Sequence, residues 1–182
     1  MNACAHYLHI LYFLLGDTMS TSAMPETVEG ILCRANPIET FDTAMLRVRA
    51  AGAVLDFSAT HACDKKIDPL LAFEFENAHV EMVETGKANS IRAFFKDGTM
   101  KDYGDIRSDY FNKIPYCCDI LRKNQPPICT VETALPHLKT VNAVTELLPV
   151  MELKSHKNEN AVSVVPGLDE LLEKAFQESK MP

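Results

Sequence analysis

The apolar positions change their period along the chain, and each change predicts an element. The first stretch, Asn2 to Gly16 (NACAHYLHILYFLLG), is apolar on nearly every side and carries His6 and His9 at its start. That pattern predicts a buried helix ended by Gly16. Small polar residues then read as a loop to Pro25, and Thr27–Arg34 alternates as a strand broken by Asn36-Pro37. Thr43–Arg49 sets Ala44, Leu46 and Val48 on one face and Met45, Arg47 and Arg49 on the other. After Ala50-Ala51-Gly52, the run Ala53–His61 places Leu55, Phe57, Ala59 and His61 opposite Asp56, Ser58 and Thr60. Alternation on both sides of a short turn predicts an antiparallel hairpin with one polar face. Leu71–Glu76, His79–Glu84 and Ser90–Phe95 repeat the period, and Lys96-Asp97-Gly98 turns the chain into a returning strand, Thr99–Tyr103.

The second half moves to a helical period. Asp105 is expected to cap a helix whose apolar stripe is Tyr110, Phe111, Ile114, Cys117, Cys118 and Leu121, with a kink or break at Pro115. Both cysteines read as buried packing on that stripe. Thr130–Leu148 predicts a helix with Leu138, Val141, Val144 and Leu148 inward and its first turn split off at Pro136. Val150–Leu153 reads as a short edge strand and Ser155–Ala161 as a mobile polar linker. Leu168, Leu171, Leu172, Ala175 and Phe176 define a last amphipathic helix. Strands without helices between them, followed by helices, predict the α+β class: an open, mostly antiparallel sheet with helices packed on one face. The other face is then wet or meets a partner.

Composition narrows the function. The chain of 182 residues is 47% hydrophobic and 24% charged, as expected of one ordinary folded domain rather than a disordered chain. A net charge of −7 and the lack of a basic face argue against nucleic acid and anionic membrane as partners. Six cysteines without a CxxC pair point to a reduced, cytoplasmic protein. The first stretch fails as a signal peptide, because Arg34 is the first basic residue, and is too short to span a bilayer.

The candidate chemistry sits mainly in that stretch. His6 and His9, at i and i+3, share one side of a helix, with Asn2 one turn earlier. Such a trio can move a proton or contribute to a metal site, or serve only to satisfy a helix start. His61, two residues before Cys63, is a weak metal signal and reads more readily as a structural strand end. A metal site of His6, His9 and His61 remains a minor alternative. His79, His137 and His156 have no convincing partner in sequence. No GxG, GxxxxGK[ST] or GxSxG occurs, so the chain has no fingerprint for holding a dinucleotide or phosphate by itself.

Taken together, the segments resemble the C-terminal half of the Gfo/Idh/MocA oxidoreductases. NACAHYLHILYFLLG looks like the family's D-x-x-x-H-x-x-D helix. RANPIETFDTAMLRVRAAGAVLDFSATHA is similar to its first long hairpin, with the E-x-x-DT element at Glu39, Asp42 and Thr43. FEFENAHVEM, FKDG, VETALPHLKTVNAV and GLDELLEKAF follow in the family's order. The resemblance implies that residues 1–16 are an interdomain helix and 17–182 an α+β domain that shapes a substrate pocket and makes oligomer contacts through its exposed sheet face. It implies His6 and Asn2 as catalytic, with Asn2 where the family carries aspartate, and His9 and His61 as substrate-binding. His9 stands where a second aspartate is expected.

The same resemblance implies an NAD or NADP cofactor held by a Rossmann domain, together with a catalytic lysine of an E-K-P motif. This chain contains neither, so it is expected to bind no cofactor alone. The expectation is a substrate and homo-oligomerisation half of an NAD(P)-dependent oxidoreductase acting on a sugar, polyol or related hydroxyl compound, cut short by truncation or a misplaced start. The alternative is a stand-alone, non-catalytic dimerisation or ligand-binding module.

Overall fold

The computed structural model describes residues 5–67, 69–84, 89–105 and 110–179. In chain order the elements are α1 (Ala5–Leu14), β1 (Pro25–Arg34), β2 (Thr43–Ala50), β3 (Ala53–Thr60), β4 (Ala72–Glu74), β5 (Ala78–Glu84), β6 (Asn89–Phe95) and β7 (Met100–Asp105). A 3-10 turn (Tyr110–Asn112) leads into α2 (Lys113–Lys123), followed by α3 (Val131–Leu147), β8 (Val150–Glu152), β9 (His156–Lys157), β10 (Ser163–Val164) and α4 (Leu168–Glu178). The class is α+β, as the sequence predicts. The chain forms two compact units, Met1–Lys66 with Pro127–Pro182, and Ile67–Pro126.

In the first unit the sheet order is β3-β2-β1-β8. β1, β2 and β3 pair antiparallel, with Leu46 opposite Gly30 on one side and Phe57 on the other. The inward row of Leu32, Ala44, Leu46, Val48, Leu55 and Phe57 packs against Leu8 and Tyr12 of α1 and Val144 of α3. Burying each large apolar side chain contributes about 1.5–3 kcal/mol. The outward row is polar and open along part of its length, where Arg47 grips Asp56 through two contacts of 2.7 Å beside exposed Glu29 and Arg49, while Cys33, Thr43 and Met45 at its other end are buried. α1 and α3 therefore cover one face, as the alternation predicts, and the other face is open in part. Gly30 is required by close approach, since a Cβ there would lie 2.2 Å from the Met45 carbonyl oxygen. Gly16 ends the first helical stretch for a similar reason, with the Thr21 carbonyl oxygen 2.0 Å from its would-be Cβ.

Several expectations are corrected. β8 is the edge strand expected, but it pairs parallel to β1. α3 runs unbroken through Pro136. A reciprocal cap between Thr130 and Thr133 secures its first turn, and the Thr140 hydroxyl donates to the Pro136 carbonyl at 3.1 Å. Its buried stripe is Thr133, Pro136, Thr140 and Val144. Leu138 lies about 200° round the helix from Pro136 and is half exposed. Ser155–Ala161 is no loose linker: β9 pairs with β10, and the Asn158 side chain accepts from the amides of Asn160 and Val162.

The second unit is an antiparallel meander, β4-β5-β6-β7. Its predicted turn at Lys96-Asp97-Gly98 forms, with Asp97 Oδ1 accepting from the Thr99 amide at 2.9 Å and hydroxyl at 2.6 Å. Asp105 ends β7 and does not cap α2, whose N-cap is Asn112. Pro115 neither kinks nor breaks that helix, because it falls in the first turn, where a missing N–H costs nothing. The apolar stripe exists, but no described side chain of α2 is buried, and Cys117 and Cys118 are exposed. The two cysteines therefore do not pack in a core as the pattern suggested.

Candidate functional site

α1 points Leu8 and Tyr12, one turn apart, into the core, and both are fully buried. The Tyr12 hydroxyl meets Thr140 Oγ1 at 2.5 Å and so ties α1 to α3. Burial pushes the Tyr12 phenol above its ordinary value, and the Thr140 hydrogen bond only partly offsets this. With that orientation set, His6 is carried outward: it is exposed, with its ring 4.0 Å from that of Tyr7. His9, three residues on, is half buried and faces the start of α3.

There His9 meets residues distant in sequence. Cys129 Sγ lies 3.6 Å from its Nε2. The His137 ring stands edge-on at 5.6 Å between centroids, and Phe13 is 5.9 Å away. Burial lowers the proton affinity of His9 and the neighbouring His137 lowers it further, so the imidazole is neutral near pH 7. Nδ1 of His9 and Nδ1 of His137 are buried with no hydrogen-bond partner among the described residues. Two imidazoles and a cysteine sulfur can exchange hydrogen bonds with a polar ligand. Among the described residues no group of three or more His, Cys, Asp or Glu side chains is disposed to hold a metal, so His6, His9 and His61 do not form one.

His61 is exposed just beyond β3, and its amide donates to the Asp42 carbonyl at 2.9 Å. Among the described residues its side chain makes no hydrogen bond to the α1 histidines. Asn2 lies outside the described residues. Asp42, in the E-x-x-DT element, is a buried anchor. Its carboxylate accepts from the amides of Ala35 (3.0 Å) and Asn36 (2.8 Å), the Asn36 side chain (2.8 Å) and the Thr43 hydroxyl (3.1 Å). Burial alone pushes its proton affinity up. The bonds from Asn36, Ala35 and Thr43 outweigh that, and the net shift is downward. Arg34 closes the same loop by donating to the carbonyls of Ile38 (2.8 Å) and Glu39 (3.1 Å) and to the Glu152 carboxylate.

Sequence reasoning left out Cys129, Thr133 and His137 because nothing in their own neighbourhood marks them. About 120 residues separate Cys129 from His9. A dinucleotide needs a strand-to-helix turn with glycines where the pyrophosphate meets a helix N-terminus. The loop after β1 is instead pinned on Asp42, and Gly167 ahead of α4 stands without a second glycine in GxG spacing. Among the described residues no glycine-rich turn of that kind is seen.

The arrangement defines an α+β domain whose open sheet is covered by helices on one face, with a histidine-bearing helix leading into it. Among solved structures the fold is shared with UDP-N-acetylglucosamine 3-dehydrogenase GnnA from Acidithiobacillus ferrooxidans. The TM-score is 0.63 at 14% identity, over 78% of this chain and 44% of that one. The likeness is one of fold, and this chain spans less than half the length of that enzyme. No protein-family model matches the sequence, nor does any curated protein. Among the described residues no helix is long and apolar enough to cross a membrane.

Proposed function

We propose that the chain is the substrate-side portion of a nicotinamide-dependent oxidoreductase of the Gfo/Idh/MocA type, acting on a hydroxyl of a sugar, polyol or nucleotide sugar. The observation that carries this reading is the fold shared with a sugar-nucleotide dehydrogenase over 78% of the chain. The order of segments in the sequence supports it, beginning with the helix that bears His6. In this reading residues 1–16 join two domains and 17–182 form the substrate domain. Exposed His6 takes the substrate hydroxyl proton, Asn2 hydrogen-bonds the same hydroxyl, and His9 and His61 bind substrate. The cofactor, NAD or NADP, is held by a separate dinucleotide-binding domain and supplies hydride chemistry.

The outward sheet face with the Arg47–Asp56 pair serves as the contact between copies in a homo-oligomer. The five described cysteines are all free, which supports a reducing cytoplasmic setting. One observation favours the competing reading of a stand-alone module. The first unit closes its own core around Tyr12, Leu46 and Val144. The coding sequence on the 5′ side of Met1 separates the two. An in-frame GxGxxG followed by E-K-P is expected, and an upstream region without either contradicts the oxidoreductase reading.

A further inference from the structure

We propose that Cys129 is a nucleophilic thiol and a modification site for small electrophiles, peroxides above all, with His9 Nε2 as the acceptor of its proton. The inference does not depend on the oxidoreductase reading. It rests on a cluster drawn from α1 and the start of α3. Cys129 is exposed, so a reagent can reach it. Its sulfur lies 3.6 Å from His9 Nε2. The Thr133 hydroxyl stands 3.6 Å from the sulfur and can turn to it from the Thr130 carbonyl. Cys129 directly precedes the N-cap of α3, a helix of 17 residues, so the positive end of that helix adjoins it. An accessible thiol with a base, a hydroxyl donor and a helix N-terminus around it is the setting of reactive cysteines.

Two buried nitrogens point the same way. Among the described residues Nδ1 of His9 and Nδ1 of His137 are buried without a hydrogen-bond partner, so the cluster carries more hydrogen-bonding capacity than those residues use. Nε2 is the His9 nitrogen that faces the sulfur, and it accepts in the tautomer that carries the ring proton on Nδ1.

The step with peroxide balances. The thiol proton passes to His9 Nε2 while the sulfur attacks one peroxide oxygen. The S–O bond forms and the O–O bond breaks. The leaving hydroxide takes the proton back from the imidazolium and departs as water. Sulfur loses two electrons to the peroxide and becomes a sulfenic acid.

The chain contains its own controls. Cys117 and Cys118 are also exposed, on α2, and no described histidine contacts them. Limited iodoacetamide labelling at pH 7, read by peptide mass spectrometry, is expected to modify Cys129 about tenfold faster than either. Peroxide with dimedone is expected to place the sulfenic adduct on Cys129 first. His9→Gln, checked for folding by circular dichroism, is expected to remove that advantage. Equal labelling of the three cysteines in the unaltered chain overturns the proposal, as does a folded His9→Gln variant that keeps the full advantage.

Discussion

The bond between Tyr12 and Thr140 makes a quantitative prediction, because it joins residues 128 apart and both are fully buried. In Tyr12→Phe the ring still fills its site and Thr140 still donates to the Pro136 carbonyl. Only one acceptor position loses its partner, so the cost is about 1 kcal/mol. Thr140→Val keeps the volume but leaves the buried phenolic O–H with nothing to donate to, at about 1–3 kcal/mol. With both changes the polar pair is gone and the unpaired hydroxyl with it. The double variant is therefore less destabilised than the sum, with a coupling of about 1 kcal/mol. Urea unfolding of the four proteins measures this, provided the slopes agree. Additive effects within about 0.3 kcal/mol would refute the docking of α1 on α3. The phenol adds a pH signature. Its folded pKa is raised, so its stabilisation is complete below the unfolded value of about 10 and is lost as pH rises above it. Tyr12→Phe is expected to flatten that alkaline loss.

Three further outcomes are expected. Asp42→Ala leaves the amides of Ala35 and Asn36 without their acceptor and costs about 2–3 kcal/mol in urea unfolding. Because the folded pKa of Asp42 is depressed, its stabilisation is present above the unfolded value of about 4 and is lost as pH falls through the lower folded one. An acid titration of the variant should be flatter over that range. Gly30→Ala forces a methyl group against the Met45 carbonyl and should lower stability by about 1–3 kcal/mol. An unchanged urea midpoint contradicts the β1–β2 register. His79 stands between Glu74 (2.5 Å) and Glu81 (3.4 Å). Burial lowers its proton affinity, but the hydrogen bonds and charges of Glu74 and Glu81 raise it more. Its stabilisation is complete below the unfolded value and fades as pH rises through the higher folded one. Glu74→Gln should bring its NMR titration midpoint down.

What could be read from the sequence was local. The β2–β3 hairpin, the turn at Lys96-Asp97-Gly98, the stop at Gly16 and the α+β class follow from periods and turn residues within a few positions of each other. The parallel pairing of β8 with β1 brings Leu32 beside Val150, across most of the chain, and no local pattern encodes it. Leu138 misled because a helical stripe read from apolar residues alone omits Thr133, Pro136 and Thr140, which are buried through capping, packing and hydrogen bonds. Cys117 and Cys118 misled in the opposite sense, since amphipathic spacing shows that a face exists and not what covers it. His6 and His9 were visible as a pair. Which of the two meets α3 was not, because it depends on which side of α1 Leu8 and Tyr12 take into the core. His137 and Cys129 join His9 only through the tertiary contact of α1 with α3.

The oxidoreductase reading is tested most directly by the imidazole NMR signals of the purified chain, titrated with sugars, polyols and UDP-N-acetylglucosamine, and separately with NADH and NADPH. A hydroxyl compound of this group is expected to shift the signals of His6 and His9 saturably, with the shift of His6 lost in His6→Ala, while the cofactors leave them unmoved. Saturable shifts with NADH or NADPH, or no shift with any of the hydroxyl compounds, contradict the assignment of this chain as the substrate side of a dehydrogenase.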